Sequence, residues 1–289
     1  MQKTNPKHLI HKKQHQRHPG LEYKMIPPPD YITTGAPGGR LKNRKCVVTG
    51  GDSGIGRAVA IAFAKEGADV AIVYLEAEEK DALLVADQIR KGYGRKCLLV
   101  PADLSKEKNC MRAAKKIRKE FRQIDVLVNN AGLHYPQPDF LKITSAQLLE
   151  TFSVNIFSMF WLVREFLPFM KEGSGIINTT SVTAYRGSGS LVDYSASKGA
   201  IVSFTRSLSA NLAEKGIRVN AVAPGPVWTP LIASSFPATK VAKHGSDTPM
   251  KRAGQPSELA PAYVFLASDD ASYVSGQVIH VNGGEIVNG

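Results

Sequence analysis

The sequence predicts a single α/β domain, in which a doubly wound parallel sheet carries helices on both faces, behind an N-terminal extension. Three observations support this fold class. From residue 45 onward, short runs rich in β-branched residues alternate with longer amphipathic runs, and repeated βα units build parallel sheets. The strand-like runs are apolar throughout, as strands covered on both faces are. A glycine-rich turn joins the first strand to the first helix, which is typical of a Rossmann-type fold.

The alternation predicts seven strands and six helices along the chain. No second hydrophobic core is recognisable, so we expect one domain over residues 41–289, an extension over residues 1–40 and a substrate lid at about 226–250. The predicted strands are Lys45–Thr49, Asp69–Leu75, Lys96–Pro101, Ile124–Asn129, Gly175–Thr180, Ile217–Ala223 and Gln277–Val281. The predicted helices are Ile55–Gly67, Glu78–Lys91, Lys106–Phe121, Ala146–Lys171, Tyr194–Lys215 and Glu258–Ala267.

The formal net charge of +12 is concentrated at the N-terminus. Residues 1–45 contain ten Lys or Arg against two acidic residues, which leaves a net charge of only +4 on residues 46–289. A basic extension can bind nucleic acid, but this one lacks interleaved aromatic residues, so we predict no nucleic-acid partner. We expect a mobile, solvated tail over residues 1–20, with metal binding as the alternative for its four histidines, His8, His11, His15 and His18.

An extended, irregular arm is predicted between this tail and the domain. Residues 27–29 are all proline, and residues 35–39 are rich in glycine. Such an arm can wrap over its own domain or over a neighbouring subunit.

The cysteines and the N-terminal composition predict a cytoplasmic protein. Cys46, Cys97 and Cys110 are an odd number without a close pair, which argues against a disulfide framework, and zinc would require more ligands at tighter spacing. The first residues lack the apolar stretch of a secretory signal, and no run approaches the roughly 20 apolar residues that span a bilayer. We therefore predict no membrane partner and no metal site, with Cys46 and Cys97 filling the core.

The glycine-rich turn predicts a dinucleotide site. Gly50, Gly54 and Gly56 lie between the first strand and the first helix, and Ser53 and Ile55 lie among them. Glycines let backbone N–H groups approach a pyrophosphate, and the helix N-terminus adds partial positive charge. The spacing is Gly-x-x-x-Gly-x-Gly, which differs from the commoner Gly-x-Gly-x-x-Gly.

The residues after the second and third strands bear on the choice between NAD(H) and NADP(H). The second strand ends without an Asp at the usual point, and Glu76 follows one or two residues later. Glu76 and its acidic neighbours would repel a 2′-phosphate, so we favour NAD(H) and leave NADP(H) as the alternative; Glu76 is otherwise an exposed residue at a helix start. Asp103, beside Leu104, either accepts from the adenine amino group or caps the next helix.

Tyr194 and Lys198 form a candidate acid/base pair. They are spaced i, i+4 and so share one face of a helix. A free tyrosine has a pKa of about 10, and a nearby ammonium and a cationic nicotinamide ring would lower it. Ser181 ends an apolar strand, at the edge where α/β folds bind ligands, and can polarise a substrate oxygen.

These motifs together resemble the short-chain dehydrogenase/reductase family from about residue 40 to the C-terminus. Thr49-Gly50-x-x-x-Gly54-Ile55-Gly56 is similar to the family's cofactor motif, and Ser181, Tyr194 and Lys198 to its catalytic residues. The other matching positions are Asn129-Asn130-Ala131-Gly132 after the fourth strand, the helix residue Asn155, and the segment from Pro224 to Thr229.

The resemblance implies a role for each residue. Tyr194 would be the general acid in reduction and the base in oxidation, and Lys198 would lower its pKa and hold the nicotinamide ribose. Asn155 would support a proton relay through water, or is otherwise a buried amide. On the cofactor side, Asn130, Ala131 and Gly132 would line the adenosine-ribose region, and Pro224, Gly225, Val227 and Thr229 would lie near the nicotinamide, with Val227 and Thr229 binding its carboxamide.

The longer match resembles bacterial members of the glucose/ribitol-type or general aldehyde reductase kind, which carry a proline-rich arm. This implies a homotetramer with interfaces around Asn155 and Tyr194. The substrate stays open among small aldehydes, ketones, sugars and polyols, with His134, Tyr185 and Trp228 as candidate contacts and ordinary loop packing as the alternative for each. A catalytically silent dinucleotide-binding sensor or scaffold is the competing function.

Overall fold

The computed structural model describes residues 9–33 and 37–287, and within them seven strands form one parallel sheet in the order β3-β2-β1-β4-β5-β6-β7. The prediction of an α/β fold with a parallel sheet is confirmed. The strands are β1 Lys45–Thr49, β2 Asp69–Tyr74, β3 Cys97–Pro101, β4 Val126–Asn129, β5 Gly175–Thr179, β6 Arg218–Pro224 and β7 Val278–Val281.

The helices cover both faces of this sheet. They are α1 Gly54–Lys65, α2 Glu79–Asp87, α3 Glu107–Glu120, α4 Ser145–Phe152, α5 Ser158–Phe166, α6 Thr183–Arg186, α7 Val192–Leu212, α8 Pro230–Ser235, α9 Ala238–Val241 and α10 Pro256–Ala267.

Two apolar layers sandwich the sheet. On one face, buried side chains of α1, α2 and α10 pack against the strands, and on the other face those of α3, α5 and α7 do. Cys46 and Cys97 lie in the first layer and Cys110 in the second, and all three are free and buried. The prediction that Cys46 and Cys97 fill the core is confirmed, and Cys110 does so as well.

The strand order reverses between β1 and β4, which are parallel neighbours. In doubly wound sheets, ligands bind in the crevice outside the carboxyl ends of the strands at such a point. The register pairs Val48 with Val128, so the turn after β1 and the loop after β4 leave the sheet side by side.

The predicted long helix at 146–171 is interrupted. A π-helical turn, Ser153–Phe157, separates α4 from α5 and carries Asn155. The whole stretch Ser145–Phe169 is long and apolar enough to cross a membrane by length and composition, a criterion that core helices also meet. The sequence prediction that no such stretch exists is therefore wrong, although Leu162, Val163 and Phe166 of this stretch pack in the core.

The N-terminal extension and the lid are both more ordered than predicted. Residues 9–20, expected to be mobile, lie against the lid through hydrogen bonds such as Gln16 N to Ala233 O at 2.8 Å; His8 lies outside the described residues. The lid, predicted as irregular, contains α8 and α9, and Trp228, Ile232 and Phe236 pack beneath the arm residue Met25.

Candidate active site

A cavity of about 960 Å³ opens at the carboxyl edge of the sheet, and the residues that follow β1, β2, β3, β4, β5 and β6 line it. Sixteen of the predicted site residues line the cavity: Gly50, Ser53, Gly54, Ile55, Asp103, Leu104, Asn130, Ala131, Gly132, Ser181, Tyr194, Lys198, Pro224, Gly225, Val227 and Thr229. His134, predicted as a substrate contact, also lines it. The volume falls in the range of cavities that enclose an organic cofactor or ligand.

The glycine-rich turn forms a cradle at the start of α1. Gly50 has φ +61°, a left-handed conformation that favours glycine. Gly56 was expected to line the cavity, but it is not among the described residues of the cavity wall. A Cβ at Gly56 would overlap the carbonyl oxygen of Gly50, so this glycine allows the turn to pack closely against the helix. Gly54 and Ile55, at the start of α1, line the cavity, and the partial positive charge of a helix N-terminus suits the pyrophosphate of a dinucleotide.

A hydrogen-bond network joins this cradle to the loop after β4. The Thr49 hydroxyl oxygen accepts from the backbone N–H of Asn130 at 2.8 Å and of Ala131 at 3.0 Å. The Asn130 side-chain amide donates to the carbonyl oxygens of Thr49 and Gly50, at 3.0 and 3.3 Å. These bonds fix Asn130, Ala131 and Gly132 beside the glycine turn, which fits the predicted adenosine-ribose side.

Carboxyl groups lie at the end of the cavity beyond β2, but Glu76, the one predicted to decide the cofactor, is not among them. Glu76 is exposed and is absent from the described cavity wall, whereas Asp52 and Glu78 are part of it. Burial raises the pKa of Glu78 to about 8, and the neighbouring Asp52 carboxyl adds to this rise. Burial likewise raises the pKa of Asp52 to about 6. Glu78 is therefore mostly neutral at neutral pH.

Tyr194 and Lys198 share one face of α7, as their spacing predicts, with the Lys198 Nζ 5.4 Å from the centre of the tyrosine ring. Lys198 Nζ also donates to the carbonyl oxygen of Thr179, at the end of β5, at 2.9 Å. Ser181 follows the same strand, lines the same cavity and acts to lower the pKa of Tyr194. Three polar side chains thus converge on one point of the cavity.

The pKa shifts of the pair depart from the sequence-based expectation. Burial raises the pKa of Tyr194 to about 12, although the hydrogen bond with Ser181 opposes the rise. Burial lowers the pKa of Lys198 to about 7, so its ammonium is itself only partly populated at neutral pH. The protein groups alone therefore keep Tyr194 as a protonated phenol, the form that donates a proton.

Asn155 is fully buried and lies behind the cavity wall. Its amide oxygen accepts from Leu133 N at 2.9 Å, and its nitrogen donates to Leu133 O and Ser197 Oγ, each at 3.0 Å. The π-helical turn that carries it is a common feature of functional sites. These bonds connect the loop after β4 to α7, so the contacts of Asn155 are those of a positioning residue.

The segment after β6, predicted to bind the nicotinamide, lines the cavity beside Ser181. The Pro224 carbonyl accepts from Val182 N at 3.0 Å, which holds this segment beside Ser181. Thr229 is the N-cap residue of α8 and lies beside Gly54, since a Cβ there would be 3.1 Å from the Thr229 methyl group. The predicted carboxamide-binding segment therefore reaches from the chemical centre to the glycine turn.

The three candidate substrate contacts have different positions. His134 is buried, its ring lies edge-on to Tyr194 with centroids 5.0 Å apart, and neither ring nitrogen has a hydrogen-bond partner among the described residues. Trp228 is fully buried under His11 and is not among the described residues of the cavity wall. Tyr185 is likewise missing from that wall and lies against His280.

Sequence reasoning missed Asp52 and Glu22, and it named Glu78 only among the acidic neighbours of Glu76. Asp52 lies between the glycines of the turn, where no pattern marks it. Glu22 lies 32 residues before the turn that it contacts, so no local pattern reveals it.

The fold and the cavity define a class of protein, the dinucleotide-binding oxidoreductases with a Tyr-Lys pair. The sequence profile of a family described as "Enoyl-(Acyl carrier protein) reductase" matches residues 50–285. The chain belongs to the short-chain dehydrogenase/reductase family. Its relatives in this family are NAD(P)-dependent oxidoreductases.

Curated relatives match almost the entire chain. It is 50% identical to NADPH-dependent aldehyde reductase 1, chloroplastic, of Arabidopsis thaliana, over 96% of this chain and 98% of that protein. It is also 50% identical to glucose and ribitol dehydrogenase of Daucus carota, over 94% of this chain and 95% of that protein.

A solved structure confirms the fold. A short-chain dehydrogenase from Burkholderia cenocepacia J2315, in complex with NADP, superposes with a TM-score of 0.79 at 29% identity. The match covers 85% of this chain and 98% of that one.

Proposed function

We propose that this oxidoreductase interconverts a carbonyl and an alcohol with Tyr194 as the general acid/base, Ser181 as the group that polarises the substrate oxygen, and Lys198 as the charge that supports the tyrosine. The observation that carries the proposal is the convergence of these three side chains in one cavity beside the glycine-rich turn. The dinucleotide supplies or accepts the hydride when it is bound.

In reduction, Tyr194 donates its phenolic proton to the carbonyl oxygen, while Ser181 hydrogen-bonds the same oxygen as negative charge develops. The Lys198 ammonium then stabilises the phenolate electrostatically across the 5.4 Å that separate Nζ from the ring. In oxidation the same groups act in reverse, and Tyr194 accepts the proton of the alcohol. Asn155 positions Leu133 and α7 around this centre.

The decisive experiment replaces Tyr194 with Phe, which removes the phenolic oxygen and keeps the ring. We expect kcat for carbonyl reduction to fall by about 10²–10⁴-fold, the contribution of a positioned acid, with dinucleotide binding retained. Dinucleotide binding is measured by fluorescence quenching in the same sample. Unchanged kcat in Tyr194→Phe would contradict the assignment and leave the chain as a binding protein.

We infer that the adenosine end accepts NADP(H) at neutral pH, which revises the preference for NAD(H) drawn from the sequence. That preference relied on repulsion by Glu76 and its neighbours, but Glu76 is exposed and Glu78 is mostly neutral because burial raises its pKa to about 8. The name of the Arabidopsis relative and the NADP complex of the Burkholderia structure support the same choice.

The remaining cofactor contacts are proposed from the cavity wall. Ser53, Gly54 and Ile55 would bind the pyrophosphate; Asp103 and Leu104 would lie at the adenine, and Asn130, Ala131 and Gly132 at its ribose. Pro224, Gly225, Val227 and Thr229 would hold the nicotinamide. His134 is proposed as a substrate contact because its ring lies 5.0 Å from that of Tyr194 and its nitrogens have no partner in the part of the chain that the structure describes.

The relatives' names suggest aldehydes or sugar alcohols as substrates, and a panel of both with NADH and NADPH tests this. A homotetramer in the cytoplasm is the expected assembly and location. An apolar patch on the α4–α5 side supports self-association, since its side chains are 39–60% exposed: Leu148, Leu149, Phe157 and Phe160.

A further inference from the structure

The N-terminal arm, residues 9–33, crosses the mouth of the cavity and touches both the lid and the glycine turn. Its only helical segment among the described residues is the short turn Glu22–Lys24. Even so, Gly20, Glu22 and Met25 are buried, and His18, Pro19 and Gly20 line the cavity. The arm therefore forms part of the cavity wall and does more than cover the surface of the domain.

At its first end, the arm is bonded to the lid. The His11 ring stacks on Trp228 with centroids 3.8 Å apart and planes inclined by 17°. The backbone N–H of Ile10 donates to Ala242 O at 2.8 Å, and that of Gln16 donates to Ala233 O at 2.8 Å. Stacking and backbone bonds together fix residues 10–16 to α8 and α9.

At its second end, the arm is bonded to the cofactor cradle through Glu22. One carboxylate oxygen accepts from the Gly54 N–H, the first of α1, at 2.6 Å, and the other accepts from the Arg57 guanidinium at 2.6 Å. The backbone N–H groups of Glu22 and Tyr23 donate to Asp81 at 2.9 and 3.2 Å. Both partners of the Glu22–Arg57 ion pair are buried, and burial raises the pKa of Glu22 to about 7 although Arg57 opposes the rise.

Between the two ends the arm has little freedom. A Cβ at Gly20 would overlap the Pro230 carbonyl, so the arm lies directly on the start of α8. Further on, the indole N–H of Trp228 donates to Pro27 O at 2.9 Å. A displacement of the lid would therefore pull on the segment that carries Glu22.

We propose that Glu22 is a positioning residue of the dinucleotide site and that the arm couples this site to the substrate lid. Glu22 holds the first N–H of α1 and Arg57 in place, and so fixes the geometry of the helix start that receives the pyrophosphate. The inference rests on the proposed function as a dinucleotide-dependent oxidoreductase. Its consequence is that changes at the lid end of the arm alter dinucleotide affinity.

The test measures the dissociation constant of NADPH and the KM and kcat of an aldehyde for full-length variants. We expect Glu22→Gln to raise the NADPH dissociation constant about tenfold, the effect of weakening a charge-assisted hydrogen bond, with kcat at saturation little changed. His11→Leu, which alters only the lid end, is expected to raise the same constant. The control is Asp30→Asn, an exposed arm carboxylate whose one hydrogen bond among the described residues is from Ile32 N, and it should leave all constants unchanged.

The double variant His11→Leu/Glu22→Gln separates coupling from independent damage. A coupled arm predicts a combined effect on the NADPH dissociation constant that differs from the product of the single effects by about threefold or more. Independent, multiplicative effects, or an unchanged constant in His11→Leu, overturn the inference even if Glu22→Gln destabilises the fold. Wild-type protein that binds neither NADPH nor NADH overturns the proposed function as well.

Discussion

Burial shifts the pKa of Tyr194 upward to about 12 and that of Lys198 downward to about 7, and both shifts follow from desolvation. The phenol is thus protonated and ready to donate, while the lysine loses its charge near neutral pH. The protonated phenol is the form that the proposed reduction uses, whereas oxidation requires the phenolate, which burial disfavours.

The pH profile of carbonyl reduction tests the lysine. Lys198 carries its stabilising charge below a pKa of about 7 and loses it above, so kcat/KM should be constant in mild acid and decline as the pH rises through about 7. In Lys198→Arg the guanidinium stays charged, so the remaining activity should show no decline there. A wild-type profile that stays flat through mildly alkaline pH would contradict the role of the ammonium.

Glu78 gives a second pH prediction. Its carboxyl has a pKa of about 8 and is mostly neutral below that pH, and Asp52 and Asp81 are the charged groups that contribute to the shift. The KM for NADPH should therefore rise relative to the KM for NADH as the pH passes about 8. The reason is repulsion between the new carboxylate and the 2′-phosphate. Glu78→Gln should flatten this ratio, and the control Glu76→Gln, an exposed carboxylate outside the described cavity wall, should preserve it. A ratio independent of pH in the wild type would refute the assignment.

At the scale of elements, the turn between β1 and α1 depends on close packing. Gly56 leaves no space for a Cβ against the Gly50 carbonyl, and Asn130 lies on the other side of the same turn. The cradle, the loop after β4 and the arm residue Glu22 therefore form one rigid unit at the start of α1.

We expect the substitution Gly56→Ala to disrupt the close packing of this unit. We expect a loss of unfolding free energy of about 1–3 kcal/mol from overpacking and a higher KM for the dinucleotide, because the Gly50 turn must move. Denaturant unfolding and steady-state kinetics measure the two effects. The control is Gly92→Ala, where a Cβ meets nothing within 4 Å, and equal behaviour of the two variants would exclude a special role for Gly56.

At the scale of the whole molecule, the exposure of four apolar side chains to solvent requires an explanation: Leu148, Leu149, Phe157 and Phe160. Phe160 is 54% exposed and packs only partly, against Phe204 with ring centroids 4.4 Å apart. Contiguous exposed apolar side chains on a helix face mark association sites.

Phe160→Glu combined with Leu149→Glu should therefore dissociate the proposed tetramer, because two buried carboxylates would face an apolar partner surface. Light scattering after size-exclusion chromatography gives the mass. The matched control is Tyr273→Glu, a fully exposed aromatic residue remote from this patch in sequence, which should leave the mass unchanged. A wild-type monomer would refute the assembly outright.

The sequence by itself determined the parallel α/β fold, the glycine cradle and the spacing of Tyr194 and Lys198, because these depend on local periodicity and on turn chemistry. Strand bounds such as Lys45–Thr49 were predicted without error, and others differ by one or two residues. Local patterns suffice here because β1, α1 and α7 each position their own polar residues.

Only the tertiary structure decided which carboxyl groups line the cavity, how Gly56 packs and where the arm lies. Glu76 and Glu78 are indistinguishable in sequence, and burial alone separates them. Glu22 reaches Gly54 across 32 residues of chain, and His11 reaches Trp228 across a far longer stretch. Such contacts depend on packing between distant segments, so the spacing of Tyr194 and Lys198 could be read from the sequence, whereas the buried carboxyl groups and the contacts of the arm could not.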